Sequence, residues 1–439
     1  ALATRPAAVG MASASASEPH VQCIFTTRLP PQWRVSDAPL SLPTRLSRYG
    51  LSEVINHLLS TETTRPFDFV VNGELLRGSL EKAMTRHGLT GEQAVMIEYV
   101  ELLAPPNLAC DSNHPDWVSS VASARTHAML SGDPTASERV PLVLSGCYDG
   151  SGRAWGPGGE LVCTMQGHTS GVKAVCWLGR GLALTASKDR TLRAWSFQSA
   201  AKEQLTAKCE QLYVGHTDSV EAACANPAGD RFCSGGWDGQ LCIWRAPDTS
   251  VSTAEVDHEP AAKRARTPAV SEAHPLSKMQ AHSECLSGLC WRTAALLYSA
   301  SWDGTVREWD VNAESSTSAV TSQKAVLCLD VSLASASIVT GHSDHCLRVW
   351  DVRQRGLSAR LTLAHKSWVS GVAWAPHQPL LLASASHDGS VRLWDTRSTV
   401  PLHELPAHKP KSLCVSWDGS DRLVSGGADG VLHFSSFAA

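Results

Sequence analysis

One short pattern recurs through the last three quarters of this 439-residue chain and constrains its fold more than any other feature. It reads YDGSGRAW, SKDRTLRAW, GWDGQLCIW, SWDGTVREW, HSDHCLRVW, SHDGSVRLW and GADGVLHF. The turn aspartates are Asp149, Asp189, Asp238, Asp303, Asp344, Asp388 and Asp429, separated by 40, 49, 65, 41, 44 and 41 residues. In six units a tryptophan follows the aspartate by six residues: Trp155, Trp195, Trp244, Trp309, Trp350 and Trp394. A second landmark lies upstream in most units: Gly167-His168, Gly215-His216, Ala281-His282, Ala364-His365 and Ala407-His408. Apolar and polar residues alternate in short runs split by Asp-Gly turns, as half-buried antiparallel strands require. A lone four-stranded unit cannot bury both of its faces, whereas units in a ring bury each face against a neighbour.

The period and internal order resemble WD40 propeller blades. The expected fold is mostly β, with a seven-bladed WD40 β-propeller over residues 114–437. In that family the histidine and aspartate of a blade hydrogen-bond each other, a Ser/Thr and the tryptophan. This assigns structural roles to His168, Asp189 and Trp195; His216, Asp238 and Trp244; and His282, Asp303 and Trp309. It assigns the same to Asp344 and Trp350; His365, Asp388 and Trp394; and His408 and Asp429. Equivalent pairs spread over seven blades do not converge on one substrate, so a catalytic reading fails.

The departures carry information. The fifth unit lacks the upstream Gly-His, so its network is expected to be incomplete. The first replaces it with Asn113-His114, and the last has Ser435 where tryptophan is expected. A strand near residues 96–108 could close the last blade, although the sequence does not show which strand pairs there. The longest gap holds a Ser-, Ala- and Pro-rich insertion at about 245–280, expected as a mobile loop. Two readings of its Lys263-Arg264-Ala265-Arg266 stand side by side: a nuclear import signal and solvated loop charge. Thr267-Pro268 would also suit a proline-directed kinase.

Composition excludes several classes. A net charge of -4 with 18% charged residues argues against a nucleic-acid-coating or membrane-surface protein. No apolar run approaches the roughly 18 residues that span a bilayer. The 14 cysteines form no CxxC pair and sit in apolar runs such as KAVCWL, so they read as buried hydrophobes in a reducing compartment. Clustered Cys/His spacing for zinc is absent, so no metal in cis and no cofactor are expected.

Residues 21–102 have another texture. VQCIFTT alternates like a strand. LSRYGLSEVINHLLS places Leu51, Val54, Ile55, Leu58 and Leu59 at helical spacing, with Ser52 or Thr44 as candidate starters. FDFVV and GELLR flank Asn72-Gly73, a hairpin turn. SLEKAMTRHG is a short helix ended by Gly88, and AVMIEYVEL is a last strand. This order is that of a ubiquitin-like β-grasp, an α+β domain. Residues 1–20 are expected as a disordered tail and 103–113 as a linker. Met11 is a candidate true start, and an organelle transit peptide is a weaker alternative.

RYGLSEVINHLL, PFDFVVNGELLRGSL, GLTGEQAVMIEYV and NHPDWVSSV, followed by seven blades, resemble the WD-repeat subunit family of the Pescadillo–Block-of-proliferation (PeBoW) complex. The resemblance covers about residues 21 to 437. It implies a non-catalytic assembly factor for the large (60S) ribosomal subunit, needed for pre-rRNA processing, in the nucleolus and nucleoplasm of the nucleus. It implies a propeller that binds the Block-of-proliferation subunit, with Pescadillo as a further partner on the pre-60S particle. It implies a ubiquitin-like domain that binds the MIDAS domain of midasin, an AAA ATPase that strips the complex from the particle. In this family a glutamate in the loop before the last ubiquitin-like strand completes the MIDAS metal coordination. The matching residue is Glu92, with Gly88 and Gly91 shaping its loop. Mg²⁺ prefers oxygen ligands, so a carboxylate offered in trans suits it. Glu53, Asp68, Glu74 and Glu98 sit on predicted regular elements and are expected to face solvent.

Three other readings compete. A Notchless-type factor carries a similar N-terminal domain but eight blades. A ubiquitin-ligase substrate receptor would want an F-box or docking helix. An enzyme would want a nucleophile elbow, metal cluster or P-loop, none of which is present.

Overall fold

The computed structural model describes residues 19–60, 64–90, 94–124, 143–199, 205–247, 270–332, 334–353, 359–376 and 378–437. The chain divides into two units, with the boundary between Leu103 and Ala104.

The first unit is a five-stranded sheet carrying two helices. Its strands are β1 (His20–Thr26), β2 (Leu40–Pro43), β3 (Phe67–Val71), β4 (Glu74–Leu75) and β5 (Val95–Glu101). The helices are α1 (Arg48–Leu59) and α2 (Leu80–His87). The sheet order is β2-β1-β5-β3-β4. The first and last strands run side by side and parallel (Phe25 opposite Ile97), while β3 runs antiparallel to β5 (Phe69 opposite Tyr99). Alternation explains the core: Val21, Cys23 and Phe25 from β1 meet Ile97 and Tyr99 from β5, and Leu51 and Ile55 from α1 cover them. Asn72 and Gly73 both have positive φ (50° and 83°), the conformation that a two-residue hairpin turn demands.

Three local expectations change. The N-cap of α1 is Ser47, whose side chain makes no capping bond. Ser52 instead ties α1 to the β3 entry, accepting from the Phe67 N–H at 3.1 Å. Asp68 does not face solvent: it is 4% exposed and paired with Arg48 at 3.1 Å and Arg77 at 3.8 Å. Two guanidiniums compensate a desolvation that an unpaired carboxylate would not tolerate.

Among the described residues the second unit contains seven sheets, all antiparallel but for one added edge strand. Their first strands are Val118–Ser123, Val172–Leu178, Val220–Ala225, Leu286–Trp291, Val326–Ser332, Val369–Trp374 and Ser412–Asp418. Each of these strands neighbours the next, and the last returns to the first, so the ring is closed. Indoles at the ends of these strands stitch adjacent blades. Trp177 Nε1 donates to Ala122 O, Trp291 Nε1 to Cys224 O and Trp417 Nε1 to Ala373 O, at 3.0–3.3 Å.

The seventh blade is completed from the other end of the unit. Asn107–Asn113 pairs antiparallel with Val431–Ser436, placing Asp111 opposite His433. Most of the stretch expected as a linker is therefore a blade strand; an N-terminal strand does close the blade, but it overlaps the 96–108 window only at 107–108. It is an outermost strand, largely exposed, so NLACDSN carries no apolar alternation to betray it. The 245–280 insertion is also narrower than expected. Ser277–Gln280 is the fourth strand of the third blade, and Ser271–Ala273 adds a parallel fifth strand to the second. Lys263, Arg264 and Arg266 lie outside the described residues. No helix among the described residues is long and apolar enough to cross a membrane.

Candidate functional site

Four blades carry the full network. His168 Nδ1 lies 2.8 Å from Asp189 and its Nε2 2.8 Å from Thr185 Oγ1, which also accepts the Trp195 indole N–H at 2.9 Å. His216 bridges Asp238 and Ser234, with Trp244 donating to the same hydroxyl. His282 bridges Asp303 and Ser299, joined by Trp309. His365 bridges Asp388 and Ser384, joined by Trp394. A carboxylate at Nδ1 requires the proton there, which leaves Nε2 to accept from the Ser/Thr hydroxyl. Burial pushes His282 down and holds His365 at about 4.

The remaining blades solve the same problem differently. In the fifth, His342 comes from the second strand itself. Its Nε2 lies 2.8 Å from Thr340 Oγ1, which also accepts from Trp350. The network expected to be incomplete thus has its histidine, supplied from a position where the pattern does not place it. Asp344 is left to Arg348, four residues on, at 2.6 Å. The first blade repeats this device. His114 bonds Ser145 at 2.8 Å, and Asp149 pairs with Arg153 at 2.6 Å. Burial opposes ionisation of Asp149, but Arg153 and Ser151 hold its carboxyl down at about 2.

In the seventh blade His408 meets Asp429 at 3.0 Å and Ser425 at 2.9 Å. No indole joins them, because Ser435 takes the tryptophan position. A second histidine, His433, lies tilted against His408 with ring centroids 4.5 Å apart and hydrogen-bonds Asp111.

Two surfaces could engage partners. The first is the loop between α2 and β5. Gly88 ends α2 with φ +61°, its N–H reaching Thr85 O. Leu89 packs against the core and Val95 is buried in it. Gly91 and Glu92 lie outside the described residues. On the neighbouring hairpin and helix end Arg86 pairs with Glu74 at 3.5 Å, and His87 lies 3.6 Å from the same carboxylate.

The second surface had no counterpart in the motif reading. Trp117, Trp237, Trp302 and Trp368 are 42%, 48%, 37% and 46% exposed. Trp117 meets Tyr148 and Trp237 meets Trp302 edge-on, at 5.6 and 4.9 Å between centroids, and Trp368 stacks on His387. Each of these residues directly precedes an innermost strand or a turn aspartate. Antiparallel pairing (Val118 with Cys147, Leu286 with Ser301) brings those positions to one end of the ring. In the sequence Trp237 and Trp302 stand one residue before a turn aspartate, and Trp117 and Trp368 one residue before an innermost strand. Monomer surfaces rarely leave so much aromatic area wet without a partner to cover it.

The central channel, about 330 Å³, offers little chemistry. Its one carboxylate, Asp330, is pushed up to about 6 by burial. A raised carboxyl in a cavity is a catalytic candidate in principle. Here, however, its oxygens accept the Trp374 and Val331 backbone N–H groups at 2.7 and 2.8 Å, which ties the fifth blade to the sixth.

Comparison with known proteins adds identity to this geometry. The NLE (NUC135) domain family matches residues 21–84, and the WD domain, G-beta repeat, matches six segments from 159–196 to 399–434. Proteins described as ribosome biogenesis protein WDR12 homologues align almost end to end. The one from Chlamydomonas reinhardtii is 38% identical, covering 95% of this chain and 98% of its own length. Those from Oryza sativa subsp. japonica and Arabidopsis thaliana are 35% and 34% identical, covering 97% and 95% of this chain and 99% and 96% of their own lengths. A ubiquitin-like fold followed by a closed seven-sheet ring and relatives matched along nearly their whole length lead to one conclusion: this chain belongs to the WDR12 family of ribosome biogenesis proteins.

Proposed function

We propose that this protein is a non-catalytic adaptor of large-subunit assembly, acting in the nucleolus and nucleoplasm. Its propeller holds Block-of-proliferation and Pescadillo subunits on the pre-60S particle, and its ubiquitin-like unit offers Glu92 to the MIDAS Mg²⁺ of midasin. Pulling by that ATPase then removes the complex and lets pre-rRNA maturation continue. The observation that carries this reading is the end-to-end match to WDR12 homologues, in which both units take part.

Chemistry supports the division of labour. A carboxylate suits a hard cation with an open oxygen position, and Gly88 at φ +61° lets the loop leave the helix end at once. We assign the Block-of-proliferation contact to the aromatic end of the ring, where Trp237 and Trp302 supply apolar area with polar rims. Seven inner strands favour this reading over the eight-bladed Notchless type.

The test is co-purification with tagged full-length protein. Glu92→Gln should lose Mg²⁺-dependent midasin binding and retain the propeller partners. A Trp237→Ala/Trp302→Ala double variant should do the reverse. Undiminished midasin capture by Glu92→Gln would overturn the metal-ligand role.

A further inference from the structure

We infer that the seventh blade carries a transition-metal site suited to Zn²⁺, with His408, Asp429 and His433 as ligands and Asp111 as the residue that orients His433. One ligand atom from each of these three lies within 4.8 Å of the others, the one such His/Cys/Asp/Glu group among the described residues. Tetrahedral zinc with bonds of about 2.0–2.1 Å places its ligands roughly 3.4 Å apart, so side-chain rotations of about an ångström complete the set. Two imidazoles and a carboxylate favour Zn²⁺ over Mg²⁺ or Ca²⁺, which want oxygen throughout. The spacing gave no hint of this, because the four residues come from three separate regions of the sequence.

The hydrogen-bond pattern points to a ligand. Asp111 accepts from Nδ1 of His433, so in the neutral ring the lone pair is on Nε2. That is the carboxylate–histidine arrangement that typically backs a metal-bound imidazole. In blades two, three, four and six, the Ser/Thr hydroxyl accepts an indole N–H. Its own proton then goes to the histidine Nε2, and the histidine N–H stays on Nδ1, toward aspartate. In the seventh blade the indole is missing, so Ser425 can accept a proton from Nε2 of His408. The neutral imidazole can therefore change tautomer, with no net loss of a proton, and present Nδ1 to a cation lying between it and Asp429.

The surroundings of Asp429 differ from those of its counterparts in the same direction. Ser151, Thr191, Thr305 and Ser390 each give a hydroxyl bond to the aspartate two residues before them. Val431 cannot. Where the first and fifth blades place Arg153 and Arg348 against the carboxylate, the seventh has His433. Asp429 has lost a hydroxyl donor and a permanent cation, and has gained an imidazole that can ligate.

The experiment uses EDTA-stripped full-length protein equilibrated with Zn²⁺, then freed of excess metal and measured for bound zinc and thermal midpoint. The comparison is with His433→Arg, which installs the residue other blades use, and Asp111→Asn. Both variants keep all 14 cysteines, so adventitious thiol binding cancels. Wild type should hold one more zinc per chain than His433→Arg and gain a zinc-dependent rise in midpoint that His433→Arg lacks. Asp111→Asn should bind zinc about 10–100-fold more weakly, and Mg²⁺ should move none of them. Equal zinc content and equal response in wild type and His433→Arg would overturn the site. The Co²⁺ spectrum of the wild type gives a second readout that needs no variant: nitrogen–oxygen tetrahedral bands support the site, and thiolate charge-transfer bands alone refute it.

Discussion

His342→Leu isolates what a network histidine contributes. The side chain is fully buried, its Nε2 lies 2.8 Å from Thr340 Oγ1 and its Nδ1 3.3 Å from Ser322 Oγ. Leucine fills similar space but makes neither bond, so above neutral pH the variant should be less stable by about 1–3 kcal/mol. The pH dependence is the sharper part. Burial, helped by Arg348, holds the His342 pKa at about 4, against 6.5 for an exposed histidine. A histidine whose native pKa is depressed stabilises the fold above its unfolded pKa and loses that contribution as pH falls toward the native value. The difference of 6.5 and about 4 amounts to roughly 3 kcal/mol at about 1.36 kcal/mol per pH unit. Leucine takes up no proton in either state. The stability gap between wild type and variant should therefore shrink as pH falls below about 6.5, and vanish or reverse near pH 4.5. Urea unfolding followed by tryptophan fluorescence, compared at matched pH, cancels the other titrating groups. A gap that stays constant across that range would refute the reasoning that His342 is a neutral, buried member of the network.

Two further outcomes follow from the same bookkeeping. Arg348→Met leaves Asp344 without bonds of 3.1 and 2.6 Å and should cost about 1–3 kcal/mol in equilibrium unfolding of the propeller. Tyr99→Phe deletes a hydroxyl that donates to Trp33 O at 2.7 Å and accepts from Val35 N at 3.0 Å. It should lower the unfolding transition of the first unit by about 1–2 kcal/mol and leave the propeller transition where it is.

What could be read from the residues depended on whether a role had a fixed address. The turn aspartates and their tryptophans recur at constant offsets, so blades two, three, four and six were legible in detail. His342 was not, because it reaches the same hydroxyl from inside a strand, and the pattern records only the loop position. Asp68 was misjudged for a related reason: its burial depends on Arg48 and Arg77, which are not its neighbours in sequence. The outermost strand at 107–113 buries little and so shows no apolar rhythm. Glu92 stood out only through family resemblance; as a residue it is an acid in a turn. Half of the exposed tryptophans, Trp237 and Trp302, stand one residue before the very aspartates that revealed the blades.

The pairing of Asn107–Asn113 with Val431–Ser436 also sets a timetable for folding on the ribosome. Asp111 and His433 are 322 residues apart. At roughly 5–20 residues per second, the early strand waits on the order of 16–64 s for its partner to be synthesised. During that wait it is an unpaired edge, the kind of segment that recruits other chains when it is apolar and flat. NLACDSN, with its asparagines, serine and aspartate, can wait in water without being drawn into misassembly. Its polarity, which concealed it as a strand, protects the nascent chain until the ring can close.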